Sequence, residues 1–522
     1  MRRIRCWRSI LRAVKHPVPP GNPETLTEPQ PPLPARMSLQ GLVNQVAGYG
    51  VGAVVNRILG IAVACTYPVL LSRDEYGRLD VVFSVVTLLT VLFYIGMDNA
   101  LPRYYYEQKT AEERKGLVCA VSYSVMGFTV VVSGILLLFS QPLALWLYGD
   151  PRYVLCFRLA LGGMPFAMLN SMQLLVLRLE RRVRAFNILA AANLVISAAF
   201  GISSILLFKI GPAGVLAGFV AGNIATGLAG AWVNRGVMAL TPLRGYMKRL
   251  LDIGMPLVFS GAALWLIGYV NRPLLAHRVD ADDLGLYAIA SGAAGMLAMM
   301  IAAFRNAWQP FAFSIMGREG AGTVYGHALT LFTVIGSAVA VAACLFAPHA
   351  LLVINSYTQK DWSGAAPVVG PLVMGTVFSA MYFVVQTGVY IARRTGYIAV
   401  TMGIAAAANL LLNFLLIPGF GIFGAALATA LGHLTALVTL YVAAQRIAPI
   451  PYQPVKLMTT TVAAALVMGL APHLRAESIA ADLAVKLGIL FLYCGALLAT
   501  RTITRPDLAL FWNISWHGHR GG

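Results

Sequence analysis

Long apolar runs separated by short polar connections recur fourteen times along the chain. They span residues 48–71, 79–98, 117–139, 153–177, 187–208, 213–233, 253–276, 285–304, 325–347, 363–391, 397–417, 424–445, 457–471 and 482–500. A helix needs ~20 apolar residues to cross a bilayer, and a barrel strand about half as many. A segment facing lipid must satisfy its own backbone hydrogen bonds, so runs of this length are helices. The pattern predicts an all-α polytopic membrane protein with about 14 transmembrane helices.

The order of these runs repeats. Tyr67-Pro-Val-Leu-Leu71 is echoed by Arg272-Pro-Leu-Leu-Ala276, and Asn99-Ala100 by Asn306-Ala307. Ala192-Asn-Leu194 and Gly211-Pro-Ala-Gly214 return as Ala408-Asn-Leu410 and Gly421-Ile-Phe-Gly424. Four matches in one order, at offsets of 205 to 216, predict an internal repeat of six spans. An even number of spans keeps both copies in the same orientation, a parallel repeat about an axis along the membrane normal. The expected architecture is two six-helix lobes around a central cavity, an N-lobe at 40–240 and a C-lobe at 245–446. Helices 13–14, at 456–500, are added outside the repeat.

Composition supports lipid as the solvent: 58% of residues are hydrophobic and only 11% charged. A soluble domain carries about 25% charged residues. The net charge of +19 would suggest nucleic acid for a soluble protein, but here it has a topological reading. With a cytoplasmic N-terminus, 28 Lys and Arg fall on the cytoplasmic side and 7 on the other. That asymmetry is the positive-inside bias, and it places both termini in the cytoplasm. Residues 1–36 join a basic head, Arg2 to Lys15, to a Pro-rich stretch from Pro17 to Pro34. They read as a disordered cytoplasmic tail, with Met37 able to serve as an alternative start; residues 501–522 form a second tail. The six cysteines show no metal-ligand spacing, and no P-loop occurs, so no metal or cofactor is expected.

Ionisable groups inside spans are expensive, so their positions carry meaning. Arg57 lies deep in the first span, on a small-residue face with Ala53, Gly60 and Ala64, and Asn56 precedes it. It reads as a substrate contact or as one partner of an interhelical pair. Arg158, Arg272 and Lys486 lie near the outer ends of their spans, where long side chains snorkel toward the headgroups. Arg272 stands between Asn271 and Pro273, where the backbone is expected to bend. Asn56, Arg57, Arg158, Asn271 and Arg272 are the substrate-binding candidates. Asp98 and Arg103 are candidates for a cytoplasmic gate. The amides Asn170, Gln173, Asn193, Asn223, Gln386, Asn409 and Asn413 suit hydrogen bonds between helices. Asp280-Ala-Asp-Asp283 reads as a solvated connection, and His277, His349 and His473 as outer-loop residues. No catalytic constellation is evident.

Two stretches then point to a family. Leu71-Ser-Arg-Asp-Glu-Tyr-Gly-Arg-Leu79 resembles a first outer loop, and Leu284-Gly-Leu-Tyr287 repeats its theme. Gly96-Met-Asp-Asn-Ala-Leu-Pro-Arg-Tyr104 resembles a first inner loop. Over residues 40–445 the chain resembles the polysaccharide transporters of the multidrug/oligosaccharidyl-lipid/polysaccharide exporter superfamily, the O-antigen and exopolysaccharide flippase type. The resemblance implies a non-enzymatic, multi-pass protein of the bacterial inner membrane. By alternating access it would turn an undecaprenyl-diphosphate-linked oligosaccharide from the cytoplasmic to the outer leaflet. It also implies glycosyltransferases and a polysaccharide polymerase as partners. The lipid II branch usually concentrates more cations in its first lobe, so one deep arginine favours a repeat-unit oligosaccharide as cargo. A cation-coupled multidrug exporter is the alternative, and it calls for a buried carboxylate. None lies well inside an expected span, Asp98 being terminal. A glycan polymerase or ligase would want a large outer loop, whereas the longest outer connection, between the ninth and tenth spans, has about 15 residues.

Overall fold

The computed structural model describes residues 56, 58–108, 110–237, 246–316, 320–392, 394–474 and 476–499. Every regular element among them is helical. The first is α1 (Ile58–Leu70), followed by α2 (Arg73–Tyr94), α3 (Met97–Glu107), α4 (Ala111–Leu138), α5 (Ser140–Tyr148), α6 (Val154–Leu179), α7 (Val183–Phe208) and α8 (Pro212–Val233). The second half continues with α9 (Tyr246–Tyr269), α10 (Asn271–Ala276), α11 (Ala281–Ser314), α12 (Ala321–Thr358), α13 (Ala366–Ile391), α14 (Gly396–Ile447), α15 (Pro454–Leu470) and α16 (Ile479–Ala499). Eleven helices, short 3₁₀ turns joined to three of them, are long and apolar enough to cross a membrane. One of these, α14, runs 52 residues but breaks at Gly421, between the eleventh and twelfth expected spans. Two shorter apolar helices, Ile58–Leu70 and Leu257–Tyr269, fall on the first and seventh.

Local chemistry sets the helix boundaries. Ser72 caps α2 in a reciprocal box with Glu75, and Thr110 does the same for α4 with Glu113. Each box satisfies two backbone donors that the first turn leaves unpaired. The stretch expected as a first outer loop is therefore the opening of α2, which starts six residues before the expected span. Likewise Asp280-Ala-Asp-Asp283 is the N-cap and first turn of α11, where carboxylates meet the positive end of the helix dipole. The connection expected before the tenth span is mostly helix, because α12 continues to Thr358. Gly211 and Gly421, matched by the repeat, adopt the same backbone: φ 53°, ψ −132° and φ 52°, ψ −131°.

In the first half, α6 packs against α4 and α8, and α8 forms a hairpin with α7. In the second, α14 packs against α9 and α13, and α13 also contacts α11 and α12. Helices α15 and α16 lean on α12. The halves meet chiefly where α2 lies against α11 and α9. Two glycine pairs allow this approach. A methyl on Gly77 would strike the Gly285 nitrogen, and one on Gly285 would strike the Arg73 carbonyl. Where α2 ends, Gly96 and Gly254 meet so closely that a methyl on either would strike backbone of the opposing helix end. Gly96 also has a positive φ of 69°.

Replacing Gly285 with Val should force α11 off α2 and cost ~1–3 kcal/mol, the usual range for overpacking. Thermal unfolding in detergent checks this. Gly127→Ala, with open space around it, should be neutral or slightly stabilising.

Candidate functional site

The best-defined polar centre lies where the two halves meet. Helix α9 ends at Tyr269, and α10 begins at Asn271 after one residue, Val270, that keeps helical angles. The bend expected near Pro273 is therefore slight. Both Asn271 and Arg272 are buried, with 1% and 7% of their surface exposed. Arg272 Nε donates to Asp80 Oδ2 of α2 at 2.6 Å. Its Nη1 donates to the Gly268 carbonyl at 2.9 Å and to Asn271 Oδ1 at 3.4 Å. The guanidinium carbon also stands 4.7 Å from the Tyr269 ring centroid and 5.7 Å from that of Tyr287.

Asn271 extends the network: its Nδ2 donates to the Tyr287 hydroxyl of α11 and, at 2.8 Å, to Thr429 Oγ1 of α14. Arg272 and Asn271 thus tie α10 to α2, α11 and α14. A buried charge persists only when paired and hydrogen-bonded, and this arrangement provides both.

Arg272 and Tyr287 face a cavity of about 200 Å³ that also presents the hydroxyls of Ser291, Thr376, Ser379 and Thr429, together with His433. A larger cavity of about 460 Å³ lies on another face of α11. Its walls are almost wholly apolar: Ala64, Cys65 and Pro68 of α1, Ile289, Ala293 and Met296 of α11, and Phe346 with its neighbours on α12. Helix α11 is a shared wall, with Ser291 and Gly295 turned to the polar space and Gly292 and Met296 to the apolar one.

The end of the molecule where α2 begins is closed by charge. Lys360 Nζ donates to the carbonyls of Pro68, Val69 and Leu71, at 2.8 Å for Pro68 and 2.9 Å for Val69. A cation at a helix C-terminus satisfies orphan carbonyls and complements the dipole. Arg73 bridges the Asp361 carbonyl at 2.7 Å and Asp282 Oδ2 at 2.8 Å. The Ser363 backbone N–H holds the Asp361 carboxyl below the usual carboxylate range. Trp362 is fully buried, its ring edge-on to Tyr76 at 6.0 Å.

The other candidates are dispersed. Arg57 and the side chain of Arg103 lie outside the described residues. Asn56 is half-buried, and its Oδ1 has no hydrogen-bond partner among the described residues. Arg158 is exposed on α6 and does not line the Arg272 cavity. Asp98 sits half-buried in the first turn of α3. Several amides bond between helices as expected. Asn170 and Asn193 both donate to Asn223 Oδ1, and Asn409 donates to the Ala428 carbonyl.

Two further expectations change. Lys486 does not snorkel: it is 3% exposed and paired with Asp482 at 2.6 Å. His349 is helical, not in a loop, and its Nε2 lies 3.1 Å from the same Asp482. Asp80 and Lys360 had not been singled out at all. The capping box at Ser72 and Glu75 was the available signal for Asp80, because a helix starting at Arg73 carries it two turns inward. Nothing local marks Lys360, whose partners lie about 290 positions earlier in the chain.

This architecture recurs in solved membrane transporters. The lipid II flippase MurJ, in an inward closed conformation, matches at 13% identity with a TM-score of 0.67, covering 87% of this chain and 98% of its own. An inward-facing multidrug resistance MATE family transporter of the MOP superfamily matches at 15% identity and a TM-score of 0.58, over 75% of this chain and 94% of its own. The Vibrio cholerae MATE transporter VcmN matches at 14% and 0.56, over 78% and 97%. The chain thus shares its fold with these transporters. Residues 42–316 match the family model described as polysaccharide biosynthesis protein, and the chain belongs to that family. No curated protein matches it in sequence.

Removing the Lys360 ammonium should loosen the closed end. Lys360→Met is expected to cost ~1–3 kcal/mol, the scale for leaving charge-assisted bonds unmade, in thermal unfolding. Lys209→Met, an exposed lysine, is the control and should change little.

Proposed function

We propose that the protein moves a lipid-linked oligosaccharide across the bacterial inner membrane, from the cytoplasmic to the outer leaflet, for polysaccharide or O-antigen synthesis. The observation that carries this is the pairing of two unlike cavities across α11, with Arg272 at the polar one. An undecaprenyl-diphosphate oligosaccharide has matching parts: an apolar chain, a diphosphate and hydroxyl-rich sugars. Arginine suits the diphosphate because its planar fork binds two oxygens at once. The family match to polysaccharide biosynthesis and the fold shared with a lipid II flippase support the same cargo class. In this reading the lobes are residues 40–240 and 245–446, and both termini are cytoplasmic. Alternating access then exchanges the closure at Lys360 and Arg73 for opening at that end.

One observation favours a second reading. Asp80 lies inside α2, which supplies the intramembrane carboxylate that a cation-coupled multidrug exporter needs. Against it, Asp80 is already neutralised by Arg272, and a paired carboxylate is poorly placed to take up a proton or metal ion.

The test is a deletion strain in which carrier-linked oligosaccharide and surface glycan are both quantified. Wild type should clear the intermediate and restore the glycan. Arg272→Ala should leave the intermediate in place at matched protein level, since truncating one partner of a buried charge pair costs ~2–5 kcal/mol. Arg57→Ala belongs in the same series. Intact glycan with heightened sensitivity to cationic drugs would instead establish the exporter.

A further inference from the structure

The bonds that Arg272 leaves unmade are as informative as those it makes. A guanidinium offers a side-on fork, Nε with Nη2, that matches two oxygens of one carboxylate or phosphate. Asp80 uses only the Nε arm, while the Gly268 and Asn271 oxygens occupy Nη1. Nη2 makes no hydrogen bond among the described residues, although Arg272 lines the hydroxyl-rich cavity. Asp80 is also the less buried partner, its side chain 29% exposed against 9% for Arg272. The anion on this arginine is therefore held by half of the available fork and sits at the edge of the site. Asp80 belongs to the first half of the chain and Arg272 to the second, so their bond is also a bond between the halves.

We propose that Asp80 is a built-in stand-in for the cargo's phosphate. It neutralises Arg272 while the site is empty, and a lipid diphosphate displaces it by taking the Nε–Nη2 fork with two oxygens. This rests on the reading of a diphosphate-linked cargo. Three consequences follow from the exchange. Cargo binding removes a tie between α2 and α10, so occupancy and separation of the halves become one event. The charge on Arg272 is answered before and after, so the site never holds an unpaired buried cation. Asp80, still tethered nearby, then recaptures Arg272 and drives the diphosphate out. Asp80 is a positioning residue: it acts on the cargo through Arg272, weakening capture and speeding release.

The signature of such a competitor is a split between affinity and turnover. Full-length protein in detergent is titrated with undecaprenyl diphosphate, with undecaprenol and inorganic pyrophosphate as comparison probes. Transport is then read in the complemented deletion strain. Asp80→Asn should bind undecaprenyl diphosphate roughly tenfold more tightly, the scale of one charge-assisted bond, and yet transport more slowly. Asp80→Glu, which keeps the charge, should stay near wild type, and Arg272→Lys, which loses the fork, should bind more weakly. Spin labels at Arg152→Cys and Ser356→Cys, with the exposed Cys65 replaced by Ala, supply a readout that does not depend on Asp80→Asn folding. Both positions are exposed at the end where α2 begins, and their separation should lengthen with undecaprenyl diphosphate but not with undecaprenol. If wild type prefers the diphosphate to undecaprenol but Asp80→Asn binds it no more tightly, or the label separation stays fixed, the stand-in role is overturned and the cargo reading survives. If wild type does not distinguish diphosphate from undecaprenol, the cargo reading itself fails. Tight binding of pyrophosphate alone, equal to that of the lipid, would assign the fork to free phosphate and overturn the lipid exchange.

Discussion

A charge within the membrane-spanning part of a protein has to be answered by another charge or by well-placed oxygens, and Arg272 is answered by both. Its pairing with Asp80 crosses from one half of the chain to the other, so while the site is empty this costly charge is paired only when the halves are together. Asn271, Tyr287 and Thr429 complete the shell from the second half. A buried pair of this kind contributes little net stability, because desolvation consumes most of the Coulomb attraction. What it contributes is position. Moving either half leaves a charge unpaired, and that penalty selects the closed arrangement over intermediate ones.

The remaining contacts between the halves have the same either-or character. Glycine pairs let α2 touch α11 and α9 backbone to backbone, a geometry that tolerates no partial separation without opening a gap. Lys360 caps the end of α1 from a connection in the second half, and Arg73 reaches Asp282 and the Asp361 carbonyl. These are short-range, charge-assisted bonds between partly exposed groups, where water can take over each partner once the halves separate. The closed end is thus held by interactions that water can replace, and the Arg272 site by one that needs another anion.

Much of this was legible in the sequence, for definite reasons. Apolar run length reports on bilayer thickness, so all the long spans were visible, and the break at Gly421 fell between two expected runs. Asn271 and Arg272 stood out because polar residues inside apolar runs are rare. Their partner did not, because Asp80 lies at the margin of its run, where hydropathy reads as a helix end. The capping chemistry of Ser72 and Glu75 moves that end outward and turns a marginal carboxylate into an internal one. Lys486 departs from expectation for the complementary reason: its distance from the helix end suggests snorkelling, but Asp482 one turn away and His349 on α12 give it a half-buried partner and neighbour. Pairings across 192 or 291 positions, as for Arg272 with Asp80 or Lys360 with α1, leave no periodic trace.

Placing a polar and an apolar cavity on two faces of α11 has a consequence for any amphipathic molecule. Such a molecule cannot be extracted whole from the bilayer without exposing its hydrocarbon, at about 25 cal/mol for each Å² moved into water. A wall that is hydroxyl-lined on one side and bare alkyl on the other removes the need for extraction. In the proposed reading the headgroup would exchange bulk water for Ser291, Thr376 and Arg272, while the chain would exchange lipid for Ile289, Met296 and Phe346. Neither part then crosses into the wrong solvent. What would remain to be overcome is the charge of the headgroup, and the proposed exchange of Asp80 for a phosphate on Arg272 answers it.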